Sequence, residues 1–242
     1  MNLVIDVGNT FVKLAIFNDG EIVFNNCIET INIKESISLL KKKYKQIDSA
    51  IISSVGALER KDVEYIDKHF NVLVLNAKTK LPFLNKYETP NTLGIDRIAL
   101  VSASVNQFPR SNTLIIDAGT CITYDFITNK NEYLGGAISP GIRMRYKSLN
   151  NLTANLPLLK TETPINIIGN STNESIHSGV VNGVLNEIDG VIADYKLKFS
   201  DLTVILTGGD TNFLSKQLKS SIFANSNFLL EGLNYILQFN II

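Results

Sequence analysis

Two short stretches place a carboxylate, a glycine and a threonine directly after an apolar run. The first is Asp6-Val7-Gly8-Asn9-Thr10 and the second is Asp117-Ala118-Gly119-Thr120. An Asp at a strand end can position a hydrated Mg²⁺, and glycine lets the backbone approach a ligand closely. Exposed N–H groups and hydroxyls can hold phosphate oxygens. Two such hairpins facing each other would grip a triphosphate, and Lys13 adds a cation for the β- and γ-phosphates.

Two common nucleotide-binding motifs are missing from the sequence. It contains neither GxxxxGK[ST] nor GxGxxG. The first would place phosphates in a P-loop, and the second would place a dinucleotide at the start of a helix. The phosphate site is therefore expected to be of another kind.

The two Asp-x-Gly stretches belong to a longer internal repeat. Their aspartates lie 111 residues apart, and a second strand follows each of them, at 12–17 and at 123–127. A later strand ends in small residues in both halves, at 51–56 and 204–209. Two buried strands can be similar by chance, but the shared order favours a duplicated lobe.

The elements around these stretches alternate between strands and helices. Asn18-Asp19-Gly20 between two β-branched runs indicates a hairpin turn. Stretch 76–93 reads as a loop, as does the glycine-rich stretch 135–141. Apolar spacing predicts helices at 34–45, 59–70, 97–107 and 172–196, strands at 49–53, 72–75, 113–116, 123–127 and 202–206, and two helical segments after 210. This pattern is typical of an α/β protein with a largely buried mixed sheet in each half.

Composition excludes several classes of protein. Of the 242 residues, 45% are hydrophobic and 19% charged, which suits a folded core rather than a disordered chain. Lys plus Arg equals Asp plus Glu at 23 each, which argues against nucleic-acid binding. Cys27 and Cys121 lie far apart, so neither a disulfide framework nor a zinc site is expected. The sequence has no basic stretch before Asp6 and no apolar run long enough for a membrane span, so we expect a cytoplasmic location and no membrane partner.

Five motifs, in this order and at these spacings, resemble the acetate and sugar kinase/Hsp70/actin superfamily and, within it, type III pantothenate kinase. They are Asp6 to Lys13 (DVGNTFVK), Gly94-Ile95-Asp96-Arg97 with Tyr87 upstream, Asp117 to Thr123, Gly135 to Gly141, and Asn170-Ser171-Thr172. The resemblance implies two related ribonuclease H-like lobes, at 1–110 and 111–242, around an ATP cleft. Cys121 stands where the family usually has Ala, and Ser171 is an extra residue before Thr172.

The resemblance also implies an activity and the residues that carry it. ATP would transfer its γ-phosphoryl group to pantothenate, giving 4′-phosphopantothenate in the first step of coenzyme A biosynthesis, with Asp96 as the base. The implied ATP contacts are Asp6, Val7, Gly8, Asn9, Thr10, Phe11, Val12, Lys13 and Thr120, and the implied substrate contacts are Tyr87, Gly94, Ile95, Asp96, Arg97 and Thr172. From the residues alone, each of three site residues also has a structural interpretation. Asp96 could equally be a carboxylate that stabilises a helix N-terminus, Arg97 could form a surface ion pair, and Thr172 could be a helix N-cap.

The cofactors and the oligomer follow from the resemblance as well. Asp6 would hold Mg²⁺ through water, and Asp117 would hold a monovalent cation, K⁺ or NH₄⁺, where the residues alone suggest a second divalent ion. Gly208-Gly209 would pack near adenosine. A homodimer is implied; from the residues alone, Gly179, Gly183 and Gly190 on the long helix are read as packing inside the chain. His69, His177 and both cysteines are interpreted as non-catalytic.

Two rival functions stay open at this stage. One is a kinase of the same superfamily that acts on a sugar or a short carboxylate, against which the Gly94–Arg97 motif argues. The other is an ATP-binding transcriptional regulator, against which Asp6, Lys13, Asp96 and Asp117 argue.

Overall fold

The computed structural model describes residues 1–8, 11–53 and 58–241. The strands, in chain order, are β1 (Asn2–Val7), β2 (Phe11–Asn18), β3 (Glu21–Glu29), β4 (Ser49–Ile52), β5 (Asn71–Val74), β6 (Leu84–Asn85), β7 (Thr113–Ala118), β8 (Cys121–Ile127), β9 (Glu132–Pro140), β10 (Thr203–Thr207) and β11 (Phe223–Ala224). The α-helices are α1 (Ile33–Lys43), α2 (Arg60–Asp67), α3 (Ile95–Gln107), α4 (Ile142–Asn151), α5 (Thr172–His177), α6 (Gly183–Lys198), α7 (Thr211–Leu214) and α8 (Phe228–Ile241).

The chain divides into two units, and the division differs from the expected one at the C-terminus. The first unit is Met1–Gln107 with Phe228–Ile242, and the second is Phe108–Asn227. The family resemblance implies that the whole of 111–242 forms the second lobe. Helix α8 belongs to the first unit because its apolar residues, among them Leu233 and Leu237, join a core cluster with Val4 and Ala99.

The first unit is built on a five-stranded mixed sheet in the order β3-β2-β1-β4-β5. Strands β1 and β2 are antiparallel, whereas β4 is parallel to both β1 and β5. One face, which includes Leu3 and Ile5, packs on buried residues of α1 and α2. The other face, which includes Val4 and Ile51, packs on α3 and α8. A sheet covered on both faces explains why all four residues of β4 are buried.

The second unit repeats this arrangement. Its strands run in the order β9-β8-β7-β10-β11, with β7 antiparallel to β8 and parallel to β10. Each strand thus matches its counterpart in the first unit. One face of the sheet packs on α4, on α5 and on α6 through a core that includes Leu114, Ile116, Ile176 and Ile188. The shared strand order confirms the internal repeat and the α/β class.

The glycine-rich stretch 135–141 was predicted to be a loop, and this prediction was wrong. Most of it lies in β9, which pairs with β8 over its length. At Gly136 a Cβ atom would overlap the backbone carbonyl of Tyr124, so glycine is what lets the two strands come this close. At Gly135 the φ angle is +99°, beside the irregularity in the pairing of Phe126 and Ile127. Glycines that indicate a loop in a sequence can therefore mark a bulged, tightly paired strand.

Other predicted elements agree with the structure within a few residues at their ends. The long helix continues without a break from Thr172 to Lys198, but its stretch Ser178–Asn182 is π-helical. Helix α4 was not predicted, and the expected loop 76–93 contains β6 and a 3-10 turn at Pro90–Thr92. No helix in the described part of the chain is long and apolar enough to cross a membrane.

Candidate active site

The first hairpin places a carboxylate opposite an ammonium group. Asp6 on β1 pairs in register with Lys13 on β2, and Val7 pairs with Val12. The N–H of Gly8 donates to the carbonyl of Phe11 over 3.0 Å. Phe11 and Lys13 are exposed, whereas the Val12 side chain is fully buried in the core, so only the backbone of Val12 can face a ligand. The expected contacts Asn9 and Thr10 lie outside the described residues.

Ser53, at the end of β4, fixes the orientation of Asp6. Its hydroxyl donates to Asp6 Oδ1 over 3.0 Å and accepts a hydrogen bond from the Val7 N–H over 3.0 Å. Burial raises the pKa of the Asp6 carboxyl above its usual range, although the Ser53 hydroxyl and Lys13 act to lower it. The Asp96 carboxylate is near enough to raise the same pKa further. The first unit thus brings Asp6, Lys13 and Asp96 into one electrostatic neighbourhood.

Asp96 lies in the first turn of α3 and folds back over the helix start. Its Oδ1 accepts a hydrogen bond from the Arg97 N–H over 2.9 Å and lies against Gly94, where an added Cβ would collide with it. The carbonyl of Gly94 accepts the first hydrogen bond of the helix from the Ile98 N–H, at 3.2 Å. Ile95 is the first residue of α3. The Asp96 side chain remains exposed, as a group that exchanges a proton with a ligand must be.

Arg97 is not at the surface. Only 5% of the residue is exposed, which contradicts the alternative of a surface ion pair. Its guanidinium carbon lies 5.4 Å from the centre of the Tyr87 ring, within the range of a cation–π contact. The backbone N–H of Tyr87 is in turn held by the Asn85 side chain, over 3.0 Å. Two of the six residues expected to contact the substrate, Tyr87 and Arg97, are therefore in contact with each other.

The second hairpin has the same register with a loop one residue shorter. Asp117 on β7 pairs with Thr123 on β8, and Ala118 pairs with Ile122. The N–H of Gly119 donates to the carbonyl of Cys121 over 2.9 Å, and Thr120 is exposed at the tip.

Two glycines from other parts of the second unit pack against this hairpin. Gly141, the N-cap residue just before α4, donates its N–H to the Thr120 carbonyl over 3.1 Å. Gly208, after β10, has a φ of +94°, and a Cβ there would collide with the Asp117 carboxylate. Asp210 then donates its N–H to the Ala118 carbonyl over 2.9 Å and pairs with Arg143, whose Nη1 lies 2.7 Å from its Oδ1. The turn expected near adenosine thus packs directly on the hairpin expected to contact phosphate.

Thr172 lines an open groove of about 950 Å³ in the second unit. The groove lies between α4 and the start of the long helix, with Arg145, Asn170 and Ser175 among its polar residues. The helix cap predicted as an alternative for Thr172 is supplied by Ser171, whose hydroxyl accepts from the Glu174 N–H over 3.3 Å. Thr172 is the first helical residue and its side chain is exposed, so it is available to a ligand.

Several polar contacts were not predicted from the sequence. Tyr124, Arg145 and Ser139 surround Glu187. Although burial acts to raise the pKa of Glu187, the hydrogen bonds from these groups bring it below its usual value. No sequence pattern indicates this network. Ser53, in contrast, could have been found from the internal repeat, because it follows the strand that corresponds to the one before Gly208.

The histidines have structural surroundings. Nδ1 of His177 lies 2.8 Å from the Tyr146 hydroxyl in the buried interior, and Nδ1 of His69 lies 2.8 Å from the Tyr65 carbonyl. Within 1–8, 11–53 and 58–241, no three His, Cys, Asp or Glu side chains are grouped to hold a metal ion.

Comparison with known proteins gives relatives over the whole chain. The sequence profile of the family described as Type III pantothenate kinase matches residues 2–194. A protein of that name from Christiangramia forsetii is 52% identical over 240 residues, which cover 99% of both chains. Another from Flavobacterium johnsoniae is 48% identical over 241 residues, covering 100% of this chain and 99% of the other.

Solved structures share the fold at lower identity. A Baf family transcriptional activator from Campylobacter jejuni has a TM-score of 0.62 and 21% identity, covering 99% of this chain and 98% of the other. A ROK family glucokinase from Streptomyces griseus has a TM-score of 0.55 and 11% identity, covering 99% of both chains. At such identities the likeness concerns the fold alone, and the function rests on the family match. The chain belongs to the type III pantothenate kinase family.

Proposed function

We propose that the chain is an ATP-dependent kinase that phosphorylates pantothenate to 4′-phosphopantothenate, the first step of coenzyme A biosynthesis. Family membership supports the substrate and the reaction. The observation that carries the proposal is the placement of Asp96, an exposed carboxylate held by its helix start within electrostatic reach of Asp6. Phosphoryl transfer to an alcohol requires a base that accepts the hydroxyl proton close to the hairpin that holds the phosphates.

In the proposed reaction the primary hydroxyl oxygen of pantothenate forms a bond to the γ-phosphorus of ATP. The bond from that phosphorus to the β,γ-bridging oxygen breaks, ADP leaves, and the hydroxyl proton passes to Asp96. Lys13 and the amides of the first hairpin lower the cost of the negative charge on the phosphates. Tyr87, Gly94, Ile95 and Arg97 hold pantothenate, Arg97 through its carboxylate or another polar group. Thr120 contributes a phosphate contact, and Thr172 a substrate contact.

Mg²⁺ is the divalent ion we propose for this site. Asp6 fits it because one carboxylate oxygen is oriented by Ser53 and the residue is only partly buried, which leaves room for a water-bridged ion. The ion would neutralise charge on the phosphates. Asp117 is the residue we propose to hold K⁺ or NH₄⁺. The cytoplasmic location expected from the sequence stays a prediction.

The test is the ATP-dependent phosphorylation of pantothenate by the purified chain, with K⁺, NH₄⁺ or Na⁺ as the only monovalent cation. We expect product with K⁺ or NH₄⁺ and much less with Na⁺. A panel of sugars and short hydroxy acids in the same assay tests the rival kinase activity. The absence of phosphopantothenate under every condition would overturn the proposal.

The role of Asp96 is tested by Asp96→Asn. This change keeps the side chain's size but removes the proton acceptor, so we expect kcat to fall by about 10²–10⁴-fold. Thermal stability and ATP binding should be unchanged. Asp67→Asn, on an exposed carboxylate at the end of α2, is the matched control and should keep full activity. A near-normal kcat for Asp96→Asn would exclude Asp96 as the base.

We also propose that the chain forms a homodimer through α6. Gly183, Gly190 and Leu197 recur at seven-residue spacing and so share one side of the helix. A Cβ added at Gly179, Gly183 or Gly190 meets no described atom within 4 Å, so these glycines do not serve close packing inside the chain. Leu197 is 86% exposed at the end of the same side. A helix side of small and apolar residues suits a closely packed second copy.

The dimer is tested by the solution mass of Gly190→Arg. The new side chain would block a close helix contact, yet arginine favours helix more than glycine does, so the monomer should stay folded. We expect the wild-type chain to have twice the monomer mass and Gly190→Arg the monomer mass. Lys196→Ala, exposed on another side of α6, should remain a dimer. A monomeric wild type at working concentration would contradict the proposal.

A further inference from the structure

The tip of the second hairpin is held between two other segments of the second unit. On one side, the N–H of Gly141 donates to the Thr120 carbonyl, and a Cβ at Gly141 would overlap that carbonyl. On the other side, the N–H of Asp210 donates to the Ala118 carbonyl, which a Cβ at Gly208 would overlap. These contacts use carbonyl oxygens of the hairpin and leave the exposed Thr120 side chain available to a phosphate.

Arg143 and Asp210 join these two segments to each other. Arg143, in the first turn of α4, donates from Nη1 to Asp210 Oδ1 over 2.7 Å and from Nη2 to Oδ2 over 3.2 Å. A bidentate pair of this kind fixes orientation as well as distance. The Asp210 side chain is 9% exposed, whereas that of Arg143 is 55% exposed. A carboxylate this deeply buried needs its partner, because it would otherwise be left as an uncompensated charge.

The short helix α7 does not explain the orientation of the Asp210 side chain. Asp210 is the N-cap residue of α7, yet its carboxylate makes no cap hydrogen bond. An aspartate at an N-cap usually accepts a hydrogen bond from an N–H two or three residues further on. Here the carboxylate is directed to Arg143 instead. The pair therefore links the turn after β10 to the start of α4 and does not serve to cap a helix.

In the first unit a neutral hydroxyl has the corresponding position. Ser53 follows β4, the counterpart of β10, and its hydroxyl bonds both to Asp6 Oδ1 and to the Val7 N–H. In both units, the segment after this strand thus holds the neighbouring hairpin. The first unit does so with a hydroxyl, and the second with a backbone contact supported by an ion pair.

We propose that Arg143 is a positioning residue for the phosphoryl donor. Through Asp210 it holds the turn after β10 and the start of α4 against the second hairpin, which places Thr120 for the phosphates of ATP. The proposal rests on the proposed function for the role of Thr120. Neither Arg143 nor Asp210 belongs to the five motifs that carry the family resemblance. The proposal requires Arg143 to act through Asp210 and not on the nucleotide itself.

The first test is a double-mutant cycle on nucleotide binding without turnover. The Kd of a non-hydrolysable ATP analogue with Mg²⁺ is measured for Arg143→Gln, Asp210→Asn and the double variant. Because the two residues act as one unit, we expect each single change to raise the Kd about 10-fold and the double change to raise it no further than about 3-fold beyond either. If Arg143→Gln does not fold, Arg143→Lys replaces it, since lysine keeps the charge but lacks the fork that bonds both oxygens.

The second test separates positioning from general stability. We expect the KM for ATP to rise in both single variants, with the KM for pantothenate unchanged. A change that only loosened the second unit would raise both KM values, because the proposed substrate contact Thr172 belongs to the same unit. Arg60→Gln is the matched control. It breaks an exposed ion pair with Glu64 on α2 in the first unit and should leave both KM values unchanged.

Three outcomes would overturn the inference. Weaker nucleotide binding in Arg143→Gln but not in Asp210→Asn would mean that Arg143 contacts the nucleotide directly. Additive effects in the double variant would mean that the two residues act independently. Equal rises in both KM values, together with a lower Tm, would leave the pair a purely structural role.

The binding cycle also distinguishes this inference from the proposed function. If the wild type binds the analogue and makes no phosphopantothenate, the proposed function fails, and a non-additive cycle still supports the positioning role. If the wild type is active and the cycle is additive, the function stands and the inference fails. A wild type that does not bind the analogue contradicts both.

Discussion

The orientation of Asp96 depends on the missing side chain of Gly94. The Asp96 carboxylate lies over the glycine and is fixed there by the Arg97 N–H. The backbone at Gly94 is not left-handed, so an L-residue would not strain φ at this position. What a side chain at 94 would disturb is the position of the carboxylate.

We therefore predict that Gly94→Ala lowers kcat without unfolding the protein. The methyl group would push the Asp96 carboxylate off the helix start, and misplacing a catalytic group by about 1 Å can cost about 10²-fold in rate. Steady-state kinetics should show the loss mainly in kcat, with the thermal midpoint within a few degrees of wild type. An unchanged kcat would mean that Asp96 acts from another orientation.

Ser53 provides a prediction about pH. Its hydroxyl lowers the pKa of Asp6, which burial raises, so Ser53→Ala should raise that pKa further. If only the ionised carboxylate supports Mg²⁺–ATP binding, affinity falls as pH drops through this pKa. The acid limb of ATP binding should therefore move to higher pH in Ser53→Ala.

Equilibrium binding of a non-hydrolysable ATP analogue with Mg²⁺, measured from pH 5 to pH 8, checks this shift. Ser53→Thr keeps the hydroxyl and should retain more of the wild-type profile. An acid limb at the same pH in Ser53→Ala and wild type would show that the hydrogen bond has no part in ATP binding.

Among the elements, the pairing of β8 and β9 depends on Gly136. A Cβ at this position overlaps both the carbonyl oxygen and the carbonyl carbon of Tyr124, which are backbone atoms that cannot rotate away. We predict that Gly136→Ala destabilises the fold by about 1–3 kcal/mol, as overpacking typically does. Denaturant unfolding measures it. Ala137→Ser, at the exposed neighbour on β9, should change stability by less than about 0.5 kcal/mol.

The two hairpins and strand β9 show which parts of the structure a sequence can reveal. Aspartates after apolar runs, and the spacing between them, identify both hairpins because strand, turn and strand are local. Gly136 misleads a prediction from sequence, because the backbone carbonyl that requires a glycine there, that of Tyr124, lies on another strand. The contact between Ser53 and Asp6 is likewise not local, since 47 positions separate the two residues. The hairpins and their chemistry are thus predictable from local sequence. Contacts across the sheet are not local, and of these only the one made by Ser53 has a signal, in the internal repeat.

At the scale of the whole molecule, the position of α8 makes the first unit depend on the C-terminal segment, since Phe228–Ile242 belongs to that unit. Leu233 is fully buried in the cluster that α8 shares with β1 and α3. We predict that Leu233→Ala costs about 2–5 kcal/mol, because a buried leucine is replaced by a cavity. Hydrogen exchange should show the loss of protection in 1–107 and 228–241, with 108–227 less affected.

Phe239→Ala is the control for this experiment. Phe239 lies on the same helix and is 41% exposed, so its truncation should cost less. Equal loss of protection in both units for Leu233→Ala would mean that α8 stabilises the chain as a single body.

The sequence could not reveal this arrangement, because a helix at the end of a repeat is read as part of the nearer lobe. Its apolar pattern shows that α8 is buried but not against what. The contact between Asn2 and Asn234, which links the first strand to the last helix at 2.9 Å, spans 232 positions.

This arrangement also determines the order in which the chain can fold during synthesis. Every residue of the second unit, Phe108–Asn227, has been made before the first unit receives its last helix. Until α8 leaves the ribosome, Val4 and Ala99 lack the apolar partners that cover them in the finished protein. Domains usually fold as units in the order of synthesis. Here the second unit can fold first, so a chain terminated before α8 would carry Asp6 and Asp96 on an unfinished scaffold.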